Sequence, residues 1–297
     1  MSGSIGADRI LRENVKGTAD AYEYFVLRRM PGYKKYAITG SYNAGTKKDH
    51  GDIDLVVYIE PVGRTVKDIK KELAHICDAS EQCKRFRAGK NKGKKSQIYG
   101  SLVTCEVPVM GSKDKESVQV DNMIATSEEE MNFMCKFLNM DALKQTLITA
   151  LVRVEMVDAM PGERSAIEHD YGIPYRKLNE NQETEFVLSM NRLSYRIVTR
   201  GEDGREKSRE EIWESHSWKD VEGLLSWIDL DMPYEYLLDV TYDVYGEDDA
   251  ERQQKRICGI MKSMINVGPG EVGTPKGDEK ISGIRRVHEM FGAPYTN

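Results

Sequence analysis

Apolar positions along the first 125 residues change period several times, and each change predicts an element. Ala19, Tyr22, Phe25 and Val26 share one face at helical spacing, which predicts a helix over 19–29, stopped by Pro31-Gly32. Tyr36–Thr39 reads as a short strand running into Gly40-Ser41, and a polar, glycine-bearing loop follows as far as Gly51. Ile53–Ile59 (IDLVVYI) is nearly continuously apolar, as expected of a central strand buried on both faces. Thr65 and Asp68 have the spacing of a capping box, ahead of a helix with the buried stripe Ile69, Leu73, Ile76 and Cys77. Two further strand-like runs, Ile98–Val107 and Ser117–Asp121, are joined by a polar turn around Gly111-Ser112-Lys113-Asp114.

The rest of the chain differs in character. Ser127 and Glu130 predict another capped helix, carrying Met131, Met134, Phe137 and Leu138, and Asp141 heads a second one through Val157. Alternation in Glu185–Met190 and Leu193–Thr199 around Asn191-Arg192 predicts a hairpin. Ser208–Trp213, Trp218–Ile228 and Asp249–Ile265 have helical period, and Pro and Gly dominate 268–277 ahead of a helix around Ile284–Phe291. The expected class is therefore α+β: a small mixed sheet with flanking helices, then a mainly helical C-terminal region containing a hairpin. The expected domains are 1–126 and 127–297.

Composition narrows this picture. The 297 residues suffice for two domains of roughly 100–200 residues each. The net charge of −6 gives no general attraction for nucleic acid or anionic lipid, so any basic surface must be local. Such a surface is offered by residues 84–97, where Lys84, Arg85, Arg87, Lys90, Lys92, Lys94 and Lys95 occur with no acidic residue. Lysines spaced by glycines can follow a phosphate backbone, although a solvated loop has the same composition. Phe86 and Tyr99 are candidate base-stacking rings, with core packing the stronger expectation for Tyr99. Five cysteines with no CxxC pair predict no disulfide framework. His75, Cys77 and Cys83 lack a fourth zinc ligand at suitable spacing and read as ordinary or buried side chains. No apolar run is long enough to cross a membrane and the first residues lack a signal-peptide core, so a cytoplasmic location is expected. His169, His216 and His288 receive no role, Trp213, Trp218 and Trp227 read as core, and 268–280 reads as a linker.

The chemistry lies in Gly40–Leu55, GSYNAGTKKDHGDIDL. Gly40 lacks a Cβ, so the backbone there can turn sharply and approach a phosphate. Ser41 adds a hydroxyl and an N–H at an expected helix start, and Gly45 eases the next turn. Asp52 and Asp54 are two apart on a strand and project from one face. Two carboxylates so placed repel unless a cation lies between them, and Mg2+ favours such hard oxygen ligands together with substrate phosphates. A third carboxylate would complete a two-metal site. Asp121 ends the alternating run SVQVD and fits that place; Glu106 in LVTCEV competes for it.

Gly40-Ser41, Gly45 and Asp52-Ile53-Asp54-Leu55, set between apolar strands, resemble the signature of the DNA polymerase beta-type nucleotidyltransferase superfamily. The chain is similar, more faintly, to uncharacterised phage-encoded nucleotidyltransferases. The resemblance spans about residues 34–125. It implies that Asp52, Asp54 and Asp121 are catalytic and hold two Mg2+ ions, for which Mn2+ can substitute, with Asp121 also acting as or assisting the base. It further implies that Gly40 and Ser41 contact the β- and γ-phosphates of a nucleoside triphosphate such as ATP. Many members carry Arg or Lys directly after Gly-Ser, where this chain has Tyr42-Asn43-Ala44; Lys47 and Lys48 are the nearest cations in sequence. The implied reaction transfers a nucleoside monophosphate to an acceptor hydroxyl, with a nucleic-acid 3′ end, RNA or DNA, as the leading acceptor. A small molecule, for which the acidic stretch 247–251 is a slight hint, a protein acceptor, and an inactive nucleotide-binding regulator are the alternatives.

Overall fold

A computed structural model of the chain describes residues 6–43, 48–112, 116–140, 161–202 and 205–226, with 145, 149 and 152 between them. The chain divides into two compact units, 1–141 and 142–297. Gly45, Lys47, Asp141, Trp227, Cys258, His288 and the helices expected over 249–265 and 284–291 lie outside the described residues.

The first unit is built on a mixed five-stranded sheet. Its strands are β2 (Tyr33–Thr39), β4 (Asp52–Ile59), β5 (Ser96–Tyr99), β6 (Leu102–Pro108) and β7 (Ser117–Ala125), in the order β2-β4-β7-β6-β5. Only the β4–β7 pair is parallel. A two-residue ladder, β1 (Ile10–Leu11) with β3 (Asp49–His50), pins the return of the 40–50 loop to the start of α1 (Arg12–Phe25). The run expected as one strand over 98–107 is broken at Gly100, whose φ of +56° turns the chain between β5 and β6.

Alternation assigns the sheet's faces. Ile53, Leu55, Val57 and Ile59 of β4 join Val118, Val120 and Ile124 of β7 in a core closed by Val15, Ala19 and Tyr22 of α1 and by Ile69, Leu73 and Cys77 of α2 (Val66–Ala79). The opposite face carries Val56 and Met123, fully or almost fully buried, and α3 (Glu128–Leu138) packs on β2, β4 and β7. The helix starts read at Thr65 and Ser127 are capped. Thr65 and Asp68 form a reciprocal box. Ser127 Oγ accepts from the Glu130 amide, while the Glu130 carboxylate accepts from the N–H and hydroxyl of Thr126.

Described residues of the second unit form the antiparallel sheet β8 (Gln182–Leu188), β9 (Leu193–Arg200) and β10 (Glu206–Ser215), with helices α4 (Pro161–Asp170) and α5 (Trp218–Ser226). The expected hairpin is β8–β9. The helix expected over 208–213 is instead the edge strand β10, whose helix-like period comes from a register shift between Glu211 and Trp213. Cross-strand ion pairs of Arg192 with Glu211 and Glu214 line this edge, and Trp213 packs edge-on to Phe186 and Tyr171.

Leu73 is fully buried between α2 and the sheet. Leu73→Ala should destabilise the first unit by about 2–5 kcal/mol, read as faster amide hydrogen exchange in β4 and β7. Unchanged exchange there would show that α2 does not close this core.

Candidate active site

β4 and β7 run side by side in parallel, and their register sets the site. Asp54 is opposite Asp121, and Asp52 is opposite Gln119. Across the other edge of β7, Asp121 is opposite Thr104 and Gln119 is opposite Glu106. Register partners project to the same face, so two rows cross the sheet: Asp54–Asp121–Thr104, and Asp52–Gln119–Glu106. The structure thus brings Asp52, Asp54 and Asp121 to one face on neighbouring strands.

Each carboxylate is held differently. Asp121 is 7% exposed and accepts from Thr104 Oγ1 at 2.6 Å and Gln119 Nε2 at 2.9 Å. Burial, and then the charges of Asp52 and Asp121, push Asp54 up to about 7. Glu106 is 1% exposed; it accepts from the Ser117 hydroxyl and pairs with Arg87 Nε at 3.4 Å. It stands a strand away from Asp54, on the far side of β7.

Gly40 lies over this face. Its φ is +70°, and a Cβ there would run into Asp54 Oδ2. Any other residue at this position would therefore be strained in backbone and would crowd the carboxylate. Ser41 follows in a single 3₁₀ turn, Gly40–Tyr42, and not at the start of an α-helix as the sequence suggested. Its amide therefore has no helix dipole behind it. The Ser41 hydroxyl is 3.0 Å from His50 Nδ1. Lys48 is exposed at the end of the loop, and its carbonyl accepts from the Arg12 amide at 2.9 Å.

Arg12 is a residue the sequence reading missed. Its guanidinium lies over the Tyr42 ring, 4.6 Å from the centroid, and its buried Nη1 has no hydrogen-bond partner among the described residues. It places a cation beside the Gly40–Tyr42 turn, from a position 28 residues upstream of Gly40 in the chain. The β1–β3 ladder, a long-range pairing that no local signal reports, brings it there.

The basic segment divides by partner. Arg87 pairs with Asp8 at 2.9 Å and with Glu106. Arg85 bonds the Gly93 carbonyl, and Lys95 Nζ bonds the Ser80 carbonyl at 2.6 Å. Lys84, Lys90, Lys92 and Lys94 are exposed. Phe86 is buried and holds the loop closed through backbone bonds with Gly93 and Lys94, whereas Tyr99 on the edge strand is 68% exposed. The two rings have thus exchanged the roles expected of them.

The face suits divalent cations. Its donors are hard oxygens, the Asp54 carboxyl is pushed up by burial and then by like charge, and Gln119 Oε1 and Glu106 Oε2 are buried acceptors with no hydrogen-bond partner among the described residues. Such a surplus of acceptors over donors is what a bound cation relieves. Raising the Asp54 pKa from 3.8 to about 7 means that its charged form costs stability in the metal-free fold. That cost is absent below about pH 4, grows as pH rises, and is complete above about pH 7. Asp54→Asn should accordingly raise the melting temperature of the metal-free first unit at and above neutral pH and leave it unchanged at the acid end. Mg2+ should stabilise the unsubstituted chain more than the variant. A pH-independent difference would remove the electrostatic explanation.

No known protein family matches the sequence, and no curated protein matches it. Among solved structures, the chain is similar to the Cid1 poly(U) polymerase, in a mutant bound to MgATP, with a TM-score of 0.31 and 11% identity over 76% of this chain and 71% of that one. So low a score carries no argument, and the case for this site rests on the chain's own residues.

Proposed function

We propose that the chain is a metal-dependent nucleotidyltransferase that moves a nucleoside monophosphate from a nucleoside triphosphate to an acceptor hydroxyl, and that the acceptor is a nucleic-acid 3′ end. The observation that carries this is the register of Asp54 with Asp121, which gathers three aspartates on one face beneath a turn where glycine spares the Asp54 carboxylate a clash.

In this reading Asp52 and Asp54 would hold both cations and Asp121 would hold one. Mg2+ bound there would supply positive charge for the α-phosphate and the leaving pyrophosphate. Asp121, fixed by Thr104 and Gln119, would act as or assist the base toward the acceptor hydroxyl. The acceptor oxygen bonds to the α-phosphorus in line as the bond to the β-phosphate oxygen breaks, and pyrophosphate leaves. Gly40 lets the triphosphate approach the backbone, and Ser41 offers its amide and hydroxyl. Arg12 and Lys48 supply the positive charge that other members of the superfamily place directly after Gly-Ser.

Geometry within the first unit favours a nucleic-acid acceptor. The Lys84 amide bonds the Glu106 carbonyl at 2.7 Å, so the basic loop begins at the end of the Asp52–Gln119–Glu106 row. Three strand spacings put its root about 14 Å from Asp52. A polynucleotide whose 3′ end lay at the aspartates would pass the exposed lysines within a few nucleotides.

Incorporation from each labelled nucleoside triphosphate, with Mg2+ and a mixture of RNA and DNA oligonucleotides, tests the reaction. Extension should occur and should fall at least about a hundredfold in Asp52→Asn. An Asp52→Asn chain with full activity would sink the proposal. Mg2+-dependent nucleotide binding without extension would move the reading to a small-molecule or protein acceptor, or to a nucleotide sensor. The acceptor surface has its own test. Reversing Lys90, Lys92 and Lys94 to Glu should weaken oligonucleotide binding and flatten its log–log salt dependence by about 2. Unchanged binding would make the run a solvated loop.

A further inference from the structure

The sequence predicts no disulfide framework, and His75, Cys77 and Cys83 lack a fourth zinc ligand at suitable spacing. The structure changes that reading. Cys77 near the end of α2, Cys83 in the segment after it, and Cys105 on β6 are each 2% exposed or less, and their sulfurs all lie within 4.8 Å of one another. We propose that Cys77, Cys83 and Cys105 form a trithiolate site for one thiophilic metal ion of the Cu+ or Zn2+ class. The site is separate from the aspartates and independent of the nucleotidyl-transfer reading.

Geometry is the first support. Sulfurs bound at about 2.3 Å to a single ion stand about 3.8–4.0 Å apart. The three sulfurs therefore need to close by only about 1 Å, which side-chain rotation can supply. Convergence of three favours a metal over a redox pair, since a disulfide would use two sulfurs and leave the third stranded. Soft thiolates select Cu+ and Zn2+ over the hard cations that suit the aspartates, so the two sites do not compete for one ion.

Charge is the second. Three thiols in an apolar core resist ionisation, and burial holds Cys105 well above the ordinary thiol range. The Lys95 ammonium brings a positive charge beside Cys83. Lys95 is held at this place by its bond to the Ser80 carbonyl. A bound cation would displace the thiol protons. The Tyr22 hydroxyl lies 3.6 Å from Cys77 Sγ and offers an oxygen for a fourth position if the ion is Zn2+; Cu+ is satisfied by three sulfurs.

Position gives the site a purpose. The three sulfurs join α2, β6 and the root of the basic loop, which is otherwise tied by Lys84 to Glu106 and by Lys95 to Ser80. A bound ion would staple that root to the sheet.

The test uses the reduced, metal-free full chain and Cd2+ as a spectroscopic probe. Thiolate-to-metal charge-transfer absorption should saturate at one equivalent. Zn2+ or Cu+ should displace the probe, and whichever does so identifies the ion. The band should vanish in Cys83→Ala. It should persist in Asp54→Asn and in a chain carrying both Cys135→Ala and Cys258→Ala. X-ray absorption of the loaded, unsubstituted chain needs no variant and should show three sulfurs at about 2.3 Å. No saturable band, a band surviving in folded Cys83→Ala, or one sulfur or fewer per metal would overturn the proposal and leave three packed core thiols.

Discussion

The parallel pairing of β4 with β7 is the contact on which the rest of this chain's first unit depends. It sets Asp54 against Asp121 and Asp52 against Gln119, so like charges face one another across neighbouring strands. Nothing about those charges favours the register. The other face enforces it: Ile53, Leu55, Val57 and Ile59 alternate with the aspartate face and lock against Val118 and Val120 under α1 and α2. A slip by one residue would drive the carboxylates into that core and expose the aliphatic row. Hydrophobic packing on one side thus holds an electrostatically unfavourable arrangement on the other, where burial and then the charges of Asp52 and Asp121 raise the Asp54 pKa.

Much of this was legible because it is local. The two-residue spacing of Asp52 and Asp54 reports a shared face directly, as do the capping residues Thr65 and Ser127. The sequence could nominate Asp121 but could not separate it from Glu106, because that choice depends on which strand lies next to β4. The strand order puts β7 there and β6 beyond it. Glu106 is then bound by Ser117 and Arg87, partners 11 and 19 positions away in the chain.

The misreadings share a physical cause. Residues 208–213 carry a helix-like period because a register shift at an edge strand breaks strict alternation. Phe86 looked exposed because every neighbour is basic or small, yet it closes its own loop and is buried. Tyr99 looked buried because it sits in a strand, but that strand is the sheet's edge. The cysteines are 6 and 22 residues apart in chain order and fit no ligand spacing; α2, the following turn and β6 have to fold together before they meet.

Net charge gives these placements their meaning. A chain of −6 with three aspartates on one face repels both a triphosphate and a polynucleotide at long range, so attraction has to be local and short. The cations near the site are sorted accordingly. Arg85, Arg87 and Lys95 are bonded within the fold and shape the loop, while Lys84, Lys90, Lys92 and Lys94 remain exposed beyond it. On the other side of the aspartates, Arg12 stands over Tyr42 next to the glycine turn. A strand held by the lysines and a triphosphate held near Arg12 would approach from opposite edges of the sheet, and the aspartate row lies between them.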